Sequence, residues 1–173
     1  MSVRLPTDEM PTNQHLPAGP KAQLRAIIPS RDGTLAYYPC RAILDDGSVH
    51  DRIYFVDSNE FARIWGIVSE RPTVDAGRVV QIEVATDRLP PDLANTLYEA
   101  GESGMGYCVF VVRFRDGAEQ PYVTGNAVDF LDWPTGRSGA DAVAVYPHHG
   151  RGMPHRAGLS FQWCPVANLA AAT

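Results

Sequence analysis

Residues 97–133 read LYEAGESGMGYCVFVVRFRDGAEQPYVTGNAVDFLDW, and the fold turns on how this stretch is read: a helix end, a glycine-rich turn and a long hairpin. From Met105 to Arg115, Cys108, Phe110, Val112 and Phe114 share one side of a period-two pattern, and Tyr107, Val109, Val111, Arg113 and Arg115 share the other. The first set is expected to face the core and the second to lie outward. Asp116-Gly117 then separates two β-prone runs, and glycine supplies the positive φ that a tight hairpin turn needs. The return strand, from Ala118 to about Phe130, contains Pro121, which has no N–H to give a ladder, and Gly125-Asn126. It is expected to be an edge or bulged strand.

Upstream the same grammar recurs. Tyr37, Cys40, Ala42 and Leu44 lead into Asp45-Asp46-Gly47, and strong β-formers follow from Val49 to Val56, so residues 34–56 read as a first hairpin. Both hairpins hold a tyrosine and a cysteine before the turn and close on Val-Asp, at Val56-Asp57 and Val128-Asp129, which hints at an internal repeat. Asp57-Ser58-Asn59-Glu60 has the spacing of a helix capping box, with Gly66 as the stop and Phe61, Ile64 and Trp65 on one apolar face. Residues 79–85 read as a third strand with Val80, Ile82 and Val84 inward and Gln81 and Glu83 outward. Pro90-Pro91-Asp92 starts a second helix, striped by Leu93, Leu97 and Tyr98 and ended by Gly101. Short strands are expected at 24–28 and 142–146. The sum is an α+β fold, a mainly antiparallel twisted sheet or small half-open barrel built from two β-hairpins, with two short covering helices.

A chain of 173 residues, 45% hydrophobic and 20% charged, is ordinary for one globular domain. The expected division is a proline-rich flexible leader over 1–22 (Pro6, Pro11, Pro17 and Pro20), one α+β domain over 23–146, and a C-terminal extension over 147–173 rich in glycine and histidine. No apolar run approaches the ~18 residues of a membrane span, and no apolar segment follows the first charges, so neither membrane anchoring nor export is expected. Cys40, Cys108 and Cys164 are odd in number and widely spaced, the pattern of packed, reduced thiols in a cytoplasmic protein. The net charge of −5 sits on the body, since 147–173 holds Arg151 and Arg156 without an acid. An acidic body without a basic stripe excludes sequence-independent nucleic-acid binding.

The candidate chemistry is sparse. Residues 101–106, GESGMG, place a serine among glycines, but a nucleophile elbow is Gly-x-Ser-x-Gly on a strand-to-helix turn, whereas here the fifth residue is Met105 and the order is helix to strand. A phosphate cradle precedes a helix and this loop follows one, so it reads as capping and turn geometry. His148, His149, His155 and Cys164 are the right residue types for zinc, but adjacent histidines rarely aim at one ion and no paired spacing supports them. No metal and no cofactor are expected. Asp45 and Asp46 are used by their turn. Asp129 and Asp132, with Thr124 and Asn126 nearby, are the carboxylates best placed to meet a ligand. Cys108, on the core face, is expected to be inert.

With no catalytic constellation, the sequence points to a non-catalytic binding or accessory protein of the bacterial type. It would act through the exposed face of the second hairpin, where Tyr107, Val109, Val111, Arg113, Tyr122 and Asn126 form an aromatic and arginine-rich surface. A protein partner or self-association is expected rather than a small ligand. The alternative is a small metal-dependent or histidine-dependent hydrolase using the His148, His149 and His155 segment.

Overall fold

The computed structural model describes residues 14–65 and 73–169. In chain order the elements are α1 (Ala18–Leu24), β1 (Ser30–Asp32), β2 (Leu35–Leu44), β3 (Val49–Asp57), α2 (Ser58–Trp65), β4 (Val79–Glu83), α3 (Pro91–Ala100), β5 (Cys108–Phe114), β6 (Glu119–Thr124), β7 (Ala142–Pro147), β8 (Arg156–Ala157) and β9 (Gln162–Val166). The class is α+β with most of the order in sheet. One sheet runs β1, β2, β3, β9, with β4 also pairing with β2, and the other runs β7, β5, β6, β8. Neither closes into a barrel. Among the described residues no helix is long and apolar enough to cross a membrane.

The two sheets follow one plan. Each is built on an Asp-Gly hairpin, β2–β3 and β5–β6, whose first strand takes an antiparallel neighbour, β4 or β7, and whose second strand takes a parallel one, β9 or β8. The likeness extends to single hydrogen bonds. Gly47 N–H donates to Leu44 O at 3.0 Å and Gly117 N–H to Phe114 O at 2.9 Å; Asp45 N–H donates to Arg78 O at 2.8 Å and Arg115 N–H to Asp141 O at 2.9 Å. In each turn an aspartate accepts from the residue two places on, Asp46 from Ser48 and Asp116 from Ala118. The repeat hinted at by two Val-Asp endings is therefore present as a repeated topology.

Sheet one is buried on both faces. Leu35, Tyr37, Tyr54, Val56 and Trp163 face the central core, which they share with Phe110, Val112, Phe114 and Tyr122 of sheet two and Leu97 and Tyr98 of α3. Cys40, Ala42, Leu44, Ile53, Phe55 and Cys164 face the opposite way, onto Leu24, Ile27 and Val79. Burying a large apolar side chain is worth about 1.5–3 kcal/mol, so this doubly packed sheet is the mechanical centre of the molecule. All three cysteines are free and buried.

Several expectations change. There are three helices among the described residues: residues 18–24, divided by sequence between a leader and a strand, form α1, because Pro20 and Leu24 pack inward. The leader before residue 14 and the stop at Gly66 lie outside the described residues. Segment 147–173, expected to trail the domain, supplies β8 and β9 to the two sheets. In β4 the expected alternation holds only in part: Ile82 is buried and Gln81 exposed as expected, but Val80 and Val84 are exposed and Val79 is buried. A register irregularity against β2 between Ile43 and Leu44 breaks the alternation there. Phe61 of α2 is buried but Ile64 is exposed. Asp57 caps α2 through Asn59 N–H at 3.0 Å and Glu60 N–H at 3.1 Å, while the Glu60 carboxylate turns to Arg63 at 2.7 Å.

Candidate functional site

The outer face of the second hairpin is where sequence places a contact surface, and its centre is covered. Val109 is 5% exposed, Val111 7% and Tyr122 0%. The cover is the loop after β7. Gly150, at φ +92°, lies so close that a Cβ on it would stand 3.1 Å from Val111 Cγ2 and 3.2 Å from Pro121 Cβ. His148 N–H donates to Val109 O at 2.7 Å. Two adjacent exposed valines would cost free energy, and the chain covers them with its own C-terminal part. Tyr122 points to the central core, stacked 5.8 Å from Phe110, with its hydroxyl donating to Asp132 O at 3.0 Å. Burial pushes its phenol well up from the ordinary range. The expectation that these three residues are exposed is corrected. Tyr107 and Arg113 remain exposed and Asn126 is half-buried, its Oδ1 enclosed without a hydrogen-bond partner among the described residues.

Aromatic and arginine groups gather instead around the covering loop. Arg151 lies over the Tyr107 ring at 5.9 Å, donates to Tyr107 Oη at 3.2 Å and also to Ser103 O. Arg113 lies over Tyr146 at 5.8 Å, and Tyr146 meets His149 at 6.1 Å. The glycine-rich turn is folded tightly: Ser103 N–H donates to Tyr107 O at 2.9 Å, and Gly106 N–H, at φ +80°, donates to Glu102 Oε2 at 3.0 Å. A Cβ on Gly104 would sit 2.3 Å from the Tyr107 ring, so a side chain there would displace the ring from this position. At the tip Met105 is 99% exposed.

The turn and the loop also meet in a serine–histidine contact that no sequence motif signals. Ser103 Oγ is 2.8 Å from His148 Nδ1, and His148 Nε2 is 3.2 Å from Ala100 O. A carbonyl only accepts, so Nε2 carries the proton; in the neutral ring Nδ1 is then an acceptor for the serine hydroxyl, which has a second acceptor in Val109 O at 3.3 Å. Ser103 Oγ in turn accepts from Val109 N–H at 2.8 Å. His148 holds φ +65°, a backbone conformation that a non-glycine residue adopts at some cost. Forty-five positions separate the pair, and only the topology that lays the β7 loop on the start of β5 unites them.

The other histidine and carboxylate candidates scatter. His155 Nδ1 lies 3.0 Å from Met153 O, and Cys164 is fully buried in β9. Among the described residues no group of three or more His, Cys, Asp or Glu gathers to hold a metal. Asp132 is paired with Arg156 at 3.1 Å. Asp129 is wholly enclosed: it accepts from Tyr98 Oη at 2.6 Å, Tyr54 Oη at 3.0 Å and Ser30 Oγ. The same phenols accept from Val128 N–H at 3.1 Å and Asp129 N–H at 3.2 Å. Desolvation raises the Asp129 pKa above the ordinary aspartate range, opposed by these hydroxyls and by Arg88. Tyr54 and Tyr98 are held well above the ordinary phenol range by burial and by the Asp129 charge. This carboxylate joins strands and helix from both halves of the chain and meets no solvent. Burial likewise pushes the Cys108 thiol up. The chain matches no known family, no curated protein and no solved structure at a significant level.

Proposed function

We propose that this chain is a non-catalytic binding or accessory protein that meets a protein partner at the corner formed by residues 101–107 and the loop 148–155. The observation that carries the reading is Met105, 99% exposed between two glycines and beside the Arg151–Tyr107 stack. Methionine, tyrosine and arginine are the types enriched where proteins meet, and a flexible thioether adapts to an irregular partner surface. The contact surface shifts from the strand itself to the turn and loop at its end. A photo-cross-linking residue at position 105 should trap one defined protein, which is a second copy of the chain if the partner is itself. Arg151→Glu should abolish the adduct without moving the thermal midpoint. An adduct that persists with Arg151→Glu, or none at all, would count against this corner.

One observation favours a second reading, histidine-dependent hydrolysis. Ser103 Oγ and His148 Nδ1 stand as nucleophile and base, with Ala100 O fixing the tautomer. In that chemistry Ser103 attacks an ester carbonyl while Nδ1 takes its proton and returns it to the leaving alcohol, after which water cleaves the acyl-serine. The Val109 N–H already bonded to Ser103 Oγ reduces its nucleophilicity, which places this reading second. A fluorophosphonate probe decides: a stoichiometric adduct on Ser103, lost with His148→Asn, supports hydrolysis, and an unlabelled serine removes it. Asparagine tolerates the positive φ at position 148, so the variant tests the base and not the fold.

A further inference from the structure

An apolar cleft of about 360 Å³ opens where the chain after α1 passes the end of β4 and the start of α3. Its walls include Ile27, Ile28, Val84, Leu89 and Pro90, and Arg88 is the charged side chain that lines it. Ile28 is 65% exposed and Val84 67%. These are unusual values for large aliphatic residues that line one cleft together rather than standing alone.

Arg88 is half-buried and held by neutral groups. It donates to Ile28 O at 2.6 Å and to Ser30 Oγ at 3.1 Å, while its Nε is enclosed without a partner among the described residues. None of the ion pairs among the described residues includes it. Asp129 acts on it by charge and through Ser30 but not in direct contact, and that carboxylate is already engaged by two phenols and the serine hydroxyl. A partly desolvated guanidinium without a carboxylate in contact is stabilised by any anion that can approach it, and a planar guanidinium suits a carboxylate in particular.

We propose that this cleft binds a small amphipathic carboxylate, an aliphatic or aryl acid whose apolar body lies against Ile28 and Val84 and whose carboxylate meets Arg88. The volume is that of a small-molecule site, ~300–1,000 Å³. Apolar walls with one convergent cation select for a ligand carrying both characters. The site shares no residue with the Met105 corner, so failure of either proposal leaves the other standing.

Octanoate and octanol, titrated separately by calorimetry into the full chain, form the test. Octanoate should bind roughly tenfold more tightly than octanol, the size of one charge-assisted hydrogen bond. Val84→Glu, at a side chain already exposed, should leave the unliganded thermal midpoint in place and weaken octanoate roughly tenfold by setting a like charge in the wall. Arg88 itself is a poor first target because it also holds Ile28 and Ser30. Equal affinity for acid and alcohol, unchanged octanoate binding by the Val84→Glu protein, or no heat at millimolar ligand would each overturn the assignment.

Discussion

The Tyr98 hydroxyl stands 2.6 Å from Asp129 Oδ2, and the same hydroxyl accepts from Val128 N–H at 3.1 Å. Tyr54 does likewise from β3, giving its proton to the carboxylate at 3.0 Å and taking the Asp129 N–H at 3.2 Å. Each phenol is thus both donor and acceptor, and a helix and a strand distant in sequence are tied to one residue. A buried polar network satisfied in this way specifies one packing arrangement, and breaking it strands the remaining groups.

Stability should carry the titration of Asp129. Its folded pKa is raised above the ordinary value of about 4, so the protonated form is favoured by folding. The associated stability is complete below the unfolded value and is lost as pH rises from there through the raised folded value. Asp129→Asn cannot titrate, so its unfolding free energy should lack this decline. At neutral pH it should still be less stable than the native protein by about 1–3 kcal/mol, because an amide N–H₂ now faces hydroxyl donors. Urea denaturation across the acid range checks both; a decline of the same slope in the Asn variant would assign it to other groups.

Two glycines near one another in sequence should fail for different reasons. A Cβ on Gly139 would stand 1.9 Å from Arg88 O, a backbone atom that cannot swing aside. Gly136, at φ +80°, has open space around it. Gly139→Ala should therefore cost about 3 kcal/mol or more through forced displacement, and Gly136→Ala only about 1 kcal/mol through backbone strain. Calorimetric unfolding separates them, and a tolerated Gly139→Ala would contradict the close approach of residues 88 and 139.

Burial of the hairpin's outer face has its own signature. Val111→Asp should destabilise the isolated protein by about 3 kcal/mol or more, since it places a carboxylate beneath Gly150 and against Pro121. Arg113→Glu, at an exposed position over Tyr146, should stay within about 0.5 kcal/mol. The two share one face of β5, so the contrast reads directly which part of that face is covered. Val111→Asp with a native midpoint would return that face to solvent.

What could be read in advance was local. Asp-Gly turns, the Asp57 cap and the Gly101 helix stop act over a few residues, and they fixed both hairpins and two helices. The contents of 101–107 were legible as a turn, but not as half of a site, because His148 reaches Ser103 only through tertiary folding. Period two marked Val109 and Val111 correctly as a separate face of β5. Alternation distinguishes two sides of a strand and says nothing about what lies on each, so a loop far along the chain, at His148 and Gly150, could cover one unseen. In β4 the reading held at Ile82 and failed at Val80 and Val84, since a bulge in pairing is not written in the strand that suffers it. Asp129 drew notice as a polar residue on a return strand, yet its partners Ser30, Tyr54, Arg88 and Tyr98 come from four separate segments.

The repeated plan of the two sheets makes the last prediction quantitative. Gly47 and Gly117 occupy the same place in their hairpins, at φ +81° and +88°, and a Cβ at either would meet nothing within 4 Å. The cost of alanine is then backbone strain alone, about 1 kcal/mol at each, or about 2–4 °C in thermal midpoint for a chain of this size. The turns sit in different sheets and share no hydrogen-bond partner, so Gly47→Ala and Gly117→Ala should add in the double variant within about 0.5 kcal/mol. Asparagine at either position should recover part of the loss, because its side chain favours the left-handed region. Thermal unfolding of the two single variants, the double and the asparagine pair provides the comparison. If one glycine tolerates alanine freely while the other does not, the two turns differ in conformation and the shared plan does not extend to them.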